Sequence, residues 1–311
     1  MFDTPMTRRQ ALRRIYRAIV ATGAAQFLSF EQLLAADRSP EQDRLNLIWL
    51  HGTSCSGCST SFLDVEDVPI LDILTKFANV VFHPDLSAAT GHQVPELIER
   101  LEGSNQRYLF TFEGGIPVDM PHACMVGDKP VTHWVDRLAG KAEACIAAGT
   151  CAAHGGIPAM QGTVTGSHTL SGYLSRKGID KPVVNLPNCP MKPEHFVYTV
   201  LHYAMTGKLP ELDGAARPRK FFGRTLHERC VYYADFQEKR YARFIGDEGC
   251  LLKLGCQGPV THSDCVEYGH NSNTNNCIRA GHPCVGCASE HFPRQIMLHT
   301  YRDKRPIRRR F

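Results

Sequence analysis

Thirteen cysteines in a chain of 311 residues are the first feature able to carry chemistry. The number is odd, so disulfides could not use them all. A disulfide scaffold is also normally a secreted chain of under roughly 100 residues that lacks room for a core. Ligation of a metal or an inorganic cluster is the better account. Cys55 and Cys58 form C-x-x-C within Gly52-Thr53-Ser54-Cys55-Ser56-Gly57-Cys58. Cys151 follows Gly149-Thr150, and Cys189 lies in Asn185-Leu186-Pro187-Asn188-Cys189-Pro190. A second set is His227 and Cys230 in H-x-x-C spacing, followed by Cys250 and Cys256. The third set is Cys265, Cys277, Cys284 and Cys287.

Four thiolates meeting at one place suit a 4Fe–4S cube, in which each iron takes one sulfur. A lone C-x-x-C is weak evidence, since it also reads as a redox dithiol. Taken singly, the second and third sets could each be a structural zinc site, with three thiolates and an imidazole or with four thiolates. Three such sites in one chain suit an electron relay better than three staples. His227 is singled out among fifteen histidines only by its spacing to Cys230. Cys124 has no partner pattern and Cys145 falls inside an apolar run, so both read as packing residues.

The elements that must position these ligands show strand–helix alternation. Residues 45–50, 79–82, 108–112, 144–148 and 182–186 are short apolar runs expected as strands. Residues 96–101, 135–142 and 195–205 carry helical periodicity. Runs apolar on both faces predict an α/β domain with a parallel sheet covered on two sides, most simply in flavodoxin-like order. Cys55, Cys58, Cys151 and Cys189 each fall just past the C-terminal end of a predicted strand. Loops there converge on one edge of a doubly wound sheet, where ligands bind. After about residue 207 the strands stop, and Gly, Asn, His and Cys become dense. So irregular a segment buries too little apolar surface to order itself, and clusters would hold it.

The net charge of +4 is concentrated at the ends. Residues 1–30 hold +4 and residues 301–311 hold +5, leaving −5 for the body between them. An acidic body with basic ends does not fit a nucleic-acid binder. Thr7-Arg8-Arg9-Gln10-Ala11-Leu12-Arg13 fits a twin-arginine signal, followed by a weakly apolar stretch and a small-residue cleavage site at Ala35-Ala36. The expected organisation is a leader over 1–36, a linker over 37–44, a sheet domain over 45–207, an iron–sulfur domain over 208–292 and a basic tail over 293–311. No later run approaches the roughly 20 apolar residues of a spanning helix. The basic tail leaves peripheral membrane association open, with a solvated charge run as the default.

From about Leu45 to Phe292 the chain resembles the small subunit of NiFe-hydrogenases. The resemblance rests on Trp49-Leu50-His51-Gly52 with Cys55 and Cys58, Phe112-Glu113-Gly114-Gly115-Ile116-Pro117, Gly149-Thr150-Cys151 with Gly155-Gly156, and Asn185 to Pro190. It continues through His227 to Cys230, Cys250 to Gly258, and Ala280-Gly281-His282-Pro283-Cys284-Val285-Gly286-Cys287. The resemblance implies a flavodoxin-like domain, an irregular cluster domain, and a separate large subunit that carries the Ni–Fe centre. Cys55, Cys58, Cys151 and Cys189 would then bind the proximal 4Fe–4S cluster. His227, Cys230, Cys250 and Cys256 would bind the distal 4Fe–4S cluster. Cys265, Cys284 and Cys287 would bind the medial cluster. This is 3Fe–4S in many relatives, which carry Pro where Cys277 stands, and 4Fe–4S here if Cys277 is a fourth ligand. Electrons would pass to an acceptor such as a cytochrome or a quinone-linked membrane protein. Twin-arginine export implies the periplasmic side, and a non-functional leader the cytoplasm. Gly57 and Gly156 occupy the positions of two extra cysteines in oxygen-tolerant relatives, so a six-cysteine proximal cluster is not expected. Glu113 matches an acidic residue near the family's subunit interface, in a structural or a proton-path role. His154 replaces a usual aromatic. A zinc-stabilised binding module and a quinone-reductase subunit are the alternatives.

Overall fold

The computed structural model describes residues 45–65, 78–104, 106–270 and 273–293. The leader, the linker and all but the first residue of the basic tail lie outside the described residues. The first described domain alternates β1 (Leu45–His51), α1 (Gly57–Leu63), β2 (Ala78–Phe82), α2 (Gln93–Gly103), β3 (Tyr108–Glu113), α3 (Val131–Lys141), β4 (Ala144–Ala148), α4 (Gly149–His154), α5 (Leu170–Arg176), β5 (Val183–Leu186) and α6 (Pro193–Thr206). The strands form one sheet in the order 2-1-3-4-5, and every pairing is parallel. That is the order of flavodoxin-like doubly wound sheets.

Strand alternation builds two cores, one on each face. Leu47 and Trp49 of β1 face the layer of α1 and α6, where they join Phe62, Phe196 and Val200. Ile48 and Leu50 face the opposite layer of α2, α3 and α5, with Ile98, Trp134, Leu138 and Leu174. Side chains on a strand alternate between faces, so a run with no polar break is what a sheet covered on both sides demands. In α3 the buried residues Val131, Trp134, Val135, Leu138 and Ala139 follow the 3.6-residue period of one apolar stripe. Each of the larger of these side chains contributes on the order of 1.5–3 kcal/mol of burial. Cys145 is fully buried in this core and Cys124 packs against it, so both act as small hydrophobes.

The register aligns the strand ends. His51 pairs with Glu113, Glu113 with Ala148, and Ala148 with Leu186, so one row crosses four strands at the C-terminal edge. Cys55, Cys151 and Cys189 follow that row within a few residues. One local expectation is corrected here. The segment after β4 is not a loop but the short helix α4, with Cys151 in its first turn. Gly149, at φ +81°, lets the chain turn from strand into helix without a connecting loop.

Beyond α6 the helices among the described residues are short turns, among them Tyr233–Gln237 and Cys265–Tyr268. Its small core consists of Leu226, Ala242, Leu251, Val266 and Ile278 together with Cys265 and Cys284, and Cys230 and Cys256 pack against it. The candidate ligands are therefore a substantial part of the only apolar cluster described in this half.

Candidate metal centres

The first set is organised around Glu113, which is 2% exposed at the end of β3. Its carboxylate accepts hydrogen bonds from Ser54 Oγ at 2.7 Å, Cys58 N at 3.1 Å, Ser59 N at 3.0 Å and Ser59 Oγ at 2.6 Å. The ring of His51 adds a contact of 3.2 Å from Nε2. Two of these donors are the first free N–H groups of α1, which need a partner from outside the helix. Burial would raise the Glu113 acid, but the bond and charge of His51 and the serine donors hold it down at about 2. Glu113 thus fixes the C-x-x-C turn, and its contacts are those of a structural carboxylate.

Around that turn the four cysteines meet. A side-chain carbon on Gly149 would overlap Cys58 Sγ, and one on Gly57 would stand 3.1 Å from Cys55 Sγ. Met191 N lies 3.3 Å from Cys58 Sγ. The thiol of Cys151 is pushed up to about 11 by burial and by the charge of Cys55, among others, and that of Cys189 to about 11 by burial, Cys151 and Cys55. Burial, Glu113, Cys151 and Cys189 raise Cys58. Cys55 is the exposed member, so this site opens to the surface. Burial lowers His154 to about 4, and the charges acting on it are those of Glu290, Arg217 and Asp213.

The second and third sets each line a cavity of their own. His227, Cys230, Cys250 and Cys256 border one. Cys265, Cys277, Cys284 and Cys287 border another. Leu226 and Ile278 line both and form the wall between them. Backbone N–H groups approach the sulfurs: Tyr232 N to Cys230 at 3.4 Å, Gly258 N to Cys256 at 3.4 Å, and Gly286 N to Cys284 at 3.3 Å. The ring of His227 is held edge-on by Phe236 at 4.5 Å and by Tyr233 at 5.2 Å. Burial raises Cys265 to about 12 and Cys287 to about 11. Stripping water from grouped thiolates is costly, and cationic metal reverses that cost.

The three sets stand in series. Cys287 interacts with Cys189 of the sheet edge, while Cys284 interacts with Cys256 across the Leu226–Ile278 wall. Residues that single-sequence spacing could not reveal make the joints. Thr150 Oγ1 donates to the Cys287 carbonyl and accepts from Asn188 N at 3.0 Å. The Asn188 amide reaches Ser263 Oγ at 3.3 Å and Cys287 Sγ at 3.9 Å. A zinc tetrahedron with Zn–S bonds of about 2.3 Å draws its sulfurs to within about 4 Å of each other. Among the described residues no three His, Cys, Asp or Glu side chains are grouped closely enough to share one ion.

Comparison with known proteins divides the chain as its two halves do. The family model described as NADH ubiquinone oxidoreductase, 20 Kd subunit, matches residues 55–203. The model for the C-terminal part of NiFe/NiFeSe hydrogenase small subunits matches residues 222–300. The chain is 34% identical over 265 residues to the periplasmic NiFeSe hydrogenase small subunit of Desulfomicrobium baculatum, covering 79% of this chain and 84% of that one. It is 33% identical over 271 residues to the quinone-reactive Ni/Fe-hydrogenase small chain of Wolinella succinogenes, covering 83% and 74%. A crystal structure of a reduced, active form of the Ni-Fe-Se hydrogenase from Desulfomicrobium baculatum superposes with a TM-score of 0.76 at 34% identity, covering 80% of this chain and 96% of that one. The second half, residues 222–300, matches the hydrogenase small-subunit model and lies outside the match to the oxidoreductase model. With a parallel sheet bearing one cysteine set and an irregular half bearing two, the chain belongs to the family of NiFe and NiFeSe hydrogenase small subunits.

Proposed function

We propose that this chain conducts electrons through three iron–sulfur clusters between a partner large subunit and an external acceptor. The supporting observation is that each predicted ligand set occupies one location, with two of the sets lining adjacent cavities in full. Cys55, Cys58, Cys151 and Cys189 hold a proximal 4Fe–4S cluster on the sheet domain, residues 45–207. Cys265, Cys277, Cys284 and Cys287 hold a medial 4Fe–4S cluster, and His227, Cys230, Cys250 and Cys256 a distal one, both within residues 208–292. When bound, each cluster takes up and releases one electron at a time. Dihydrogen would be split into two protons and two electrons on the large subunit, so no residue of this chain breaks that bond.

What this chain supplies is control of potential through ligand identity, hydrogen bonds to sulfur, charge and burial. The exposed Cys55 faces outward where a partner would cover it. The relatives named periplasmic and quinone-reactive favour export by the leader and a membrane-linked acceptor. No helix among the described residues is long and apolar enough to cross a membrane.

Iron and acid-labile sulfide assays on the purified complex test the reading, together with the identity of the chain that co-purifies. About twelve irons per small subunit and a larger nickel-containing partner are expected. A colourless, zinc-loaded protein would sink the conductor reading. For Cys277, a three-iron EPR signal in the oxidised protein that persists unchanged in Cys277→Ser would refute the fourth-ligand role.

A further inference from the structure

A buried ion pair joins the two halves of the chain beside the Cys265 cavity. Lys192, 2% exposed at the turn into α6, places Nζ 2.9 Å from Asp264 Oδ1. His195, fully buried on α6, places Nε2 3.0 Å from the same oxygen. Asp264 is 3% exposed and directly precedes Cys265 at the start of the turn Cys265–Tyr268. The Lys192 ammonium lies 5.8 Å from the centre of the Tyr268 ring. Phe221 stacks on His195 at 4.2 Å and closes the network from the other side.

Removing an ammonium and a carboxylate from water is expensive, and an apolar pair of the same volume often stabilises a fold as well. The position of this pair is therefore more informative than its existence. Asp264 is the residue before Cys265, so the ammonium held 2.9 Å from its Oδ1 stands beside the start of the third set. His270 lines the cavity of that set, and after burial it is Lys192 that most lowers its basicity. The field of Lys192 thus reaches the cavity of the third set.

We propose that Lys192 is the charge that sets the potential of the medial cluster, a buried ammonium fixed by Asp264 that favours the cluster's reduced form. Reduction adds one electron, hence one negative charge, to the group held by Cys265, Cys277, Cys284 and Cys287. A cation held in a low-dielectric site stabilises that added charge. Asp264 then has two tasks: it locks the ammonium in place and moderates its field. The inference rests on the three-cluster reading above.

The test is an EPR-monitored redox titration of the assembled heterodimer, with the medial signal identified by its change in Cys277→Ser. Lys192→Met is expected to lower the medial midpoint potential and Asp264→Asn to raise it. Lys192→Arg should stay near the unmodified protein, and the proximal and distal potentials should move less in every case. Shifts of the same sign in Lys192→Met and Asp264→Asn would indicate shared distortion and overturn the proposal, as would equal movement of all three clusters or none. If Lys192→Met does not assemble, the near-isosteric Asp264→Asn carries the sign test, and an unchanged or lowered medial potential in it overturns the proposal. Failure of the underlying reading is separately visible, because the unmodified complex would then lack a third set of cluster signals.

Discussion

Ser59 donates to Glu113 twice, from its backbone N–H at 3.0 Å and from its hydroxyl at 2.6 Å. With the bonds from Ser54 Oγ and Cys58 N, this makes one carboxylate the common acceptor for the whole turn that carries Cys55 and Cys58. The bonds are charge-assisted and out of water, which is where such bonds are strongest.

Glu113→Gln is therefore expected to cost about 2–4 kcal/mol at neutral pH, because an amide nitrogen would face N–H and O–H donors. The pH dependence follows from a carboxyl held at about 2 when folded against an ordinary 4.5. A depressed acid contributes stability that is complete above 4.5 and is lost as pH falls towards 2. Urea unfolding of both proteins should show the difference between them shrinking across that window. A constant difference would mean that Glu113 stabilises the turn by shape and not by charge.

Gly149 has a tighter constraint than Glu113. It adopts φ +81°, and a side-chain carbon there would overlap Cys58 Sγ. Gly149→Ala should therefore expel the first cluster, removing about four irons of about twelve. Gly178→Ala is the control: φ is +67°, but nothing lies within 4 Å of the added carbon. It should cost about 1 kcal/mol of backbone strain and no iron. Iron analysis of the two variants separates crowding of the sulfur from strain of the backbone.

The contrast between these two glycines marks how far sequence could be read. Leu45–His51, Tyr108–Glu113 and Ala144–Ala148 were legible because unbroken apolar runs suit only strands buried on both faces. The cysteines and His227 could be sorted into three candidate ligand sets because thiolates carry chemistry that few other residues can do. The helix Gly149–His154 was not, since Gly-Thr-Cys-Ala-Ala-His-Gly-Gly reads as a loop until the tight turn at Gly149 is seen. Lys192 and Asp264 were equally hidden. They are far apart in the chain, neither belongs to a motif, and only the packing of α6 against the Cys265 turn brings them to 2.9 Å. Thr150 was given no role from sequence, yet its hydroxyl joins the halves.

That joint yields a third prediction. Thr150 Oγ1 accepts from Asn188 N and donates to the Cys287 carbonyl, so Thr150→Val leaves a buried donor and a buried acceptor unpaired while keeping the side-chain shape. A loss of about 1–3 kcal/mol per stranded group is expected. Thr150→Ser keeps the hydroxyl and should recover most of it. Thermal unfolding of the two variants measures this, and equal losses would show that the methyl group, not the hydroxyl, matters.

In the proposed relay His227 would supply an imidazole at the far end, where the other two sets would use a fourth thiolate. A neutral ligand leaves the cluster one negative charge less than a thiolate would, which makes the added electron easier to accept. The ring is braced by Phe236 and Tyr233, so its orientation is set before any metal arrives. His227→Cys is expected to keep the iron content, because a thiolate can take the same iron, and to lower the potential of the distal cluster while the other two stay nearly unchanged. A redox titration monitored by EPR reads all three at once. Should the distal potential rise or stay fixed in His227→Cys with full iron, His227 is not a ligand, and the edge-on aromatic brace would be packing alone.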